Sequence, residues 1–231
     1  MPTIENSTIL DNPNLNSPKT ITVMKRVLAV NETEAIANRK LFDFRGILAI
    51  NLMSSPGSGK TTLLEATARS AKFRFGVIEG DMETNRDADR LLKLGVRAHQ
   101  ITTGTACHLE APMIAKAIEQ FSLDDLDAVF VENVGNLVCP ASYELGTHLN
   151  VVLLSTPEGD DKVLKYPVMF RAADLVLITK AELAPIFEFN IQRVKDEVHQ
   201  LNPHISTIAL SAKTSEGLDE WLKFVADRLP K

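Results

Sequence analysis

Asn51-Leu-Met-Ser-Ser-Pro-Gly-Ser-Gly-Lys-Thr-Thr62 closes like a phosphate-binding loop. The general pattern, G-x-x-x-x-G-K-[ST], has glycine where this chain carries Ser54. The apolar run GILAINLM precedes the loop and the helical pattern TTLLEATARSA follows it, which is the strand–loop–helix setting the motif needs. Gly57 and Gly59, with Ser58 between them, let the backbone turn its N–H groups toward a phosphate, and a helix N-terminus adds partial positive charge. Lys60 is placed to reach the β and γ phosphates; Thr61, followed by Thr62, is placed to ligate Mg²⁺. A chance glycine turn before a helix would leave the G-x-G-K-T-T run unexplained. Ser54 breaks only the formal pattern, because a serine survives there if its backbone stays in an ordinary region.

Outward from the loop, the chain acquires a rhythm. Short apolar runs at GILAINLM, FGVIEGD, AHQITT, AVFVENV, NVVLLST, DLVLITK and STIALSA alternate with longer amphipathic segments. Runs apolar on both faces suit a buried parallel sheet, and their alternation with helix-length segments predicts a doubly wound α/β fold of the P-loop NTPase type. Ligands in such folds sit at the carboxyl ends of the strands. Residues 31–45 (NETEAIANRKLFDFR) read as a further helix, with Asn31 or Thr33 as cap. Residues 1–20, rich in Asn, Pro, Ser and Thr, read as a flexible tail, and 21–231 as a single nucleotide-binding domain.

Composition narrows the class. The chain has 231 residues, 45% of them hydrophobic, enough for a sizeable core. A formal charge of −5 supplies no basic field for nucleic acid. No apolar run approaches the ~18 residues of a membrane span, and the polar N-terminus has no signal-peptide core. Two cysteines, Cys107 and Cys139, make no disulfide framework, so the expected compartment is the cytoplasm.

Three further constellations carry chemistry. Asp81 (FGVIEGD), Asp87 (TNRDADR) and Glu132 (VFVENVG) are acids at or near strand ends, candidates for Mg²⁺ directly or through water; helix capping or a solvated surface is the plain alternative. Glu132 and Gly135 also resemble the D-x-x-G element of GTPases. Thr179-Lys180-Ala181-Glu182 stands where GTPases carry N-K-x-D, whose acid accepts from guanine N1–H and the exocyclic amine. Downstream, Ser211, Ala212 and Lys213 match the S-A-K element at guanine O6. Finally, Cys107, His108 and Cys139 form an N/S donor set suited to Zn²⁺ or Ni²⁺, against the plain alternative of buried free thiols and an ordinary histidine. Adjacent Cys and His side chains are expected to point apart, which favours a site shared at a two-fold interface. His148 is near enough in sequence to be watched. A P-loop kinase or ATPase with unrelated cysteines, and a nucleotide-gated scaffold without turnover, remain open on these residues alone.

Taken together, NLMSSPGSGKTTLLE, EGDMETNRDADR, TGTACHLEAP, ENVGNLVCPASYELG, STPEGDDKVLKYPVMF, ADLVLITKAELAP and SAKTSEG resemble the HypB family, GTPases of the SIMIBI class that assist nickel insertion into [NiFe] hydrogenases. The likeness runs from about residue 30 to the end. It is weaker to the sibling UreG, which carries C-P-H in place of Cys107-His108. Ser54 is expected within HypB. The resemblance implies GTP/GDP and Mg²⁺ as cofactors, Ni²⁺ or Zn²⁺ at Cys107, His108 and Cys139, a nucleotide-dependent homodimer, and a HypA-type chaperone and hydrogenase large subunit as partners. It places a switch acid at Asp87 and the acid of the E-N-V-G element at Glu132, so that Lys60, Asp87 and Glu132 become the catalytic candidates. Three departures stand out: TKAE for N-K-x-D, no lysine before Cys107-His108, and a tail without cysteine- or histidine-rich segments.

Overall fold

The computed structural model describes residues 18–81 and 86–230. Seven parallel strands form one sheet in the order β3-β2-β4-β1-β5-β6-β7: β1 Leu48–Ser54, β2 Phe75–Asp81, β3 Arg97–Thr102, β4 Ala128–Glu132, β5 Leu149–Ser155, β6 Leu175–Thr179 and β7 Ser206–Ala209. The doubly wound α/β expectation is met. All seven residues of β1 are buried, as a central strand covered on both faces demands.

Alternation of side chains divides the core. Leu48, Ile50 and Leu52 of β1 pack beneath α2 (Lys60–Ser70) and α8 (Leu218–Ala226), with Leu63, Leu64 and Trp221. Ile47 and Ala49 face the other way, against Phe42 of α1 (Pro18–Arg45) and Ile114 of α4 (Ala111–Gln120). Farther along that second face, Val163 of α5 (Lys162–Lys165), Met169 and Phe170 of α6 (Pro167–Arg171) and Val194 of α7 (Ile191–Leu201) close the core. Trp221 is fully buried, and its indole N–H donates to Thr67 Oγ1 of α2 at 2.9 Å.

The first helix differs from expectation. It begins at Pro18, not near residue 32, and so takes in the end of the predicted tail; the rest of that tail, residues 1–17, lies outside the described residues. The two proposed caps are spent otherwise. Asn31 donates to Glu144 O and accepts from Ala111 N, both at 2.8 Å, while Thr33 donates back to Ala29 O. Asn38 donates to Ala111 O and Leu145 O, and Arg39 to Gly146 O and Thr147 O. Asn31, read as helix punctuation, is instead one of the rivets of α1 to the body, together with Asn38 and Arg39.

The strand order reverses around β1, which has β4 on one side and β5 on the other. The crevice at that switch lies beyond the carboxyl ends of β1 and β4, where the phosphate loop emerges.

Candidate functional site

The phosphate loop joins β1 to α2. Gly57 and Gly59 have φ of +75° and +95°, a region that side-chain-bearing residues adopt only with strain. Ser54 is fully buried; its hydroxyl donates to Ser55 O at 2.7 Å and accepts from Lys60 Nζ at 2.9 Å. The serine in the first glycine position therefore orients Lys60, the lysine of the motif. Thr61 Oγ1 donates to Glu132 Oε1 at 3.0 Å, and Thr62 follows it in the first turn of α2.

Beyond the strand ends lies a cavity of about 380 Å³, lined among others by Gly57, Gly59, Lys60, Thr61, Thr62, Asp81, Glu132 and Lys180. It also takes in Glu79, which is buried and pairs across the ladder with Glu132. Glu79 carries no motif signal; only strand register puts it beside Glu132. Asp87 stands in the first turn of α3 (Arg86–Leu92), and its side chain lies outside the described residues.

Two loops bind the phosphate loop from the side. Thr179 Oγ1 donates to Ser58 O at 2.7 Å, and Lys180 Nζ to Gly57 O at 2.8 Å. Thr156 Oγ1 donates to Lys180 O at 2.8 Å, and Ala181 N to Leu210 O at 3.1 Å, so the TKAE and SAK loops lie side by side. In the latter, Ser211 is buried and accepts from Thr214 N, Ala212 is half-buried and Lys213 exposed. Glu182 Oε2 is buried without a hydrogen-bond partner. Glu158, which sequence reasoning missed, accepts three bonds at one oxygen: Ser58 Oγ at 2.6 Å, Ser155 Oγ at 2.7 Å and Ser155 N at 2.9 Å. A capping box ties it to its own turn and the extra bond props the phosphate loop.

The cysteines and histidine meet in one chain. Cys107 Sγ lies 3.0 Å from Cys139 Sγ and 3.6 Å from His108 Nδ1, and the three donor atoms fall within 4.8 Å of one another. The expectation that Cys107 and His108 point apart is thus corrected. The loop is irregular here, not extended, so neighbouring side chains need not alternate. Contact with the Cys107 thiol, then burial, pushes the Cys139 thiol above its ordinary value. The His108 ring stacks on Tyr143, centroids 3.9 Å apart, and its Nε2 lies 3.5 Å from Glu110 Oε1. Burial, followed by the charge of Glu110, raises the Tyr143 hydroxyl. His148 belongs elsewhere: it accepts from Ala49 N and contacts Asp43, fastening α1 to β1.

Asn133 links the end of β4 to the loop that bears His108. It follows Glu132, is buried, and accepts the backbone N–H of Leu109, the residue after His108, at 3.1 Å. Its amide donates to Asn51 Oδ1 at 3.2 Å, and Asn51 donates on to Asn150 at 3.0 Å. Gly135 presses on the phosphate loop, since a Cβ there would stand 2.8 Å from Pro56 Cα.

Comparison with known proteins agrees with this architecture. Residues 48–209 match the CobW/HypB/UreG nucleotide-binding domain. Over 222 residues the chain is 48% identical to the hydrogenase/urease maturation factor HypB of Helicobacter pylori, covering 94% of this chain and 91% of that one. The chain belongs to the HypB family. Escherichia coli K12 HypB, a hydrogenase maturation factor, is 45% identical over 215 residues, covering 92% of this chain and 74% of its own. Among solved structures, H. pylori HypB in complex with nickel superposes with a TM-score of 0.83 at 49% identity, covering 86% of this chain and 94% of that one. HypB of Archaeoglobus fulgidus gives 0.81 at 37% identity, covering 87% and 98%. The signal recognition particle receptor FtsY of Elizabethkingia anophelis aligns at 0.51 with 14% identity over 88% and 79%, a likeness of fold alone. No helix among the described residues is long and apolar enough to cross a membrane.

Proposed function

We propose that this HypB-family protein hydrolyses GTP and couples the cycle to delivery of nickel during [NiFe] hydrogenase maturation, acting as one nucleotide-binding unit over residues 21–231. The observation that carries the reading is the short covalent and hydrogen-bonded path between the two centres. Thr61 of the phosphate loop bonds Glu132, and Asn133 next to it grips the loop holding His108. The same segment ends at Cys139 seven residues on.

The roles follow from chemistry. Lys60 and the amides of Gly57, Ser58 and Gly59 bind phosphates. Thr61, with Asp81 and Asp87, would hold Mg²⁺, whose charge would offset that developing on the transferred phosphoryl group. Glu132 accepts from Thr61 and so fixes the rotamer of that hydroxyl. Glu182, with a buried carboxylate oxygen in need of donors, suits guanine N1–H and the exocyclic amine, beside Lys180 and the Ser211-Ala212-Lys213 loop. Adenine offers no such donor pair.

Cys107, His108 and Cys139 would take Ni²⁺ or Zn²⁺ as cargo. Three donors leave a fourth position for a second copy of the chain or for the protein that gives or receives the metal. We infer a homodimer favoured by GTP, a HypA-type donor and the hydrogenase large subunit as acceptor, in the cytoplasm.

Titration of the purified protein with GTP, GDP and ATP, with and without Ni²⁺ and Zn²⁺, tests the reading. Light scattering reports mass and elemental analysis reports bound metal. GTP binding tighter than ATP, with mass and metal content both dependent on the nucleotide, is expected. Tighter ATP binding with no metal response would assign the protein to the kinase or ATPase class instead.

A further inference from the structure

The convergence of Cys107 and His108 leaves a question of orientation. An imidazole presents either Nδ1 or Nε2 to a metal, and the choice is set by what the other nitrogen meets. Here Nδ1 is the atom beside the thiols, 3.6 Å from Cys107 Sγ. Nε2 lies away from the thiols, is buried without a hydrogen-bond partner, and has Glu110 Oε1 at 3.5 Å.

Glu110 occupies the N-cap position of α4, yet its side chain makes no capping bond. Asn31 instead accepts the Ala111 N–H at that helix end. The carboxylate is thereby released from the local duty its position predicts and stands beside the imidazole. A carboxylate stabilises a protonated Nε2 and repels an unprotonated one, so it selects the tautomer whose Nδ1 lone pair faces the sulfurs. The ring plane has its own support. Tyr143 stacks on it at 3.9 Å with an interplanar angle of 25°. Tyr143 directly follows the 3-10 turn Cys139–Ser142, and its N–H returns to Pro140 O. The stack therefore joins the segment bearing His108 to the segment bearing Cys139.

We propose that Glu110 and Tyr143 are positioning residues for the metal centre: Glu110 selects the His108 tautomer that ligates through Nδ1, and Tyr143 holds the ring in register with Cys139. This rests on the reading that Cys107, His108 and Cys139 hold metal, and the test separates the two.

The full chain is titrated with Ni²⁺ and with Zn²⁺ against a chromophoric chelator, and ¹⁵N NMR of the metal-free protein reports the His108 tautomer. The parent shows Nε2 protonated and Nδ1 free. Glu110→Ala weakens metal binding by roughly 10- to 100-fold, mixes the tautomers and shifts the nickel–thiolate absorption, while GTP affinity and thermal unfolding stay at the parental values. Glu110→Gln, which retains an acceptor oxygen without the charge, falls between. Tyr143→Phe keeps the stack and binds like the parent, whereas Tyr143→Ala loses about tenfold or more. If His108→Ala weakens metal binding but Glu110→Ala and Glu110→Gln stay within about twofold of the parent, the positioning role is overturned and the metal site stands. An Nδ1-protonated parent also overturns it. If His108→Ala leaves metal binding untouched, the site assignment itself falls, and the positioning role with it.

Discussion

Thr179 stands where the N-K-x-D pattern has asparagine, and its hydroxyl makes the loop-to-loop bond to Ser58 O by a shorter route. Thr179→Val removes that donor from a buried pair and should cost about 1–3 kcal/mol of stability or loop order, read as a lower chemical-denaturation midpoint and weaker nucleotide binding. Thr179→Ser should retain both. If Glu182 accepts from two guanine donors as proposed, Glu182→Ala weakens GTP by about 1.5–3 kcal/mol, roughly 10- to 100-fold, in a competition assay with fluorescent nucleotide. ATP affinity should barely move. These positions were legible because their motifs are contiguous. Glu79 was not, since one acid inside an apolar strand carries no local sign of its cross-strand partner Glu132. Glu158 was missed for a related reason: it looks like an ordinary turn residue until Ser58, a hundred positions earlier, is seen to bond it.

Among the elements, the segment after β4 lies against the phosphate loop with almost no clearance. Gly135→Ala places a methyl 2.8 Å from Pro56 atoms, most of them backbone, which cannot swing aside like a flexible side chain. Nucleotide affinity should fall while the metal affinity of the nucleotide-free protein changes little; isothermal titration with each ligand alone separates the two. The first helix behaves differently. Asn38 is buried and donates to two carbonyls, Ala111 O and Leu145 O. Asn38→Leu should lower stability by about 2–4 kcal/mol in urea unfolding, since a buried amide that donates to two carbonyls is lost. The periodicity of α1 and its candidate caps suggested a short helix because Asn31 and Thr33 have the chemistry of caps. Tertiary bonding to Glu144 and Ala111 claims Asn31, while Thr33 bonds back to Ala29 O one turn earlier in a helix already under way.

Across the whole molecule, strand order does what no motif states. Alternating apolar runs announced a parallel α/β sheet, but only the order around β1 places β4, and with it Glu132 and Asn133, beside the phosphate loop. The meeting of Cys107 with Cys139 depends on the same arrangement and on a loop too irregular for side-chain direction to be read from spacing. If Asn133 transmits between the centres, coupling must be reciprocal: the factor by which GTP changes nickel affinity equals the factor by which nickel changes GTP affinity. Asn133→Ala should bring both factors toward one, while each ligand alone binds within a few-fold of the parent. Equal, undiminished factors in the variant would place the coupling outside this hydrogen bond.

The chain holds a single tryptophan, Trp221, whose indole is anchored to Thr67 on the helix that begins at Lys60. That makes the molecule its own optical instrument. Any displacement of this helix relative to α8 must stretch or release the indole bond, and the emission of one fluorophore, free of background from any other tryptophan, would report it in real time without a label if the proposed nucleotide cycle moves the two helices apart.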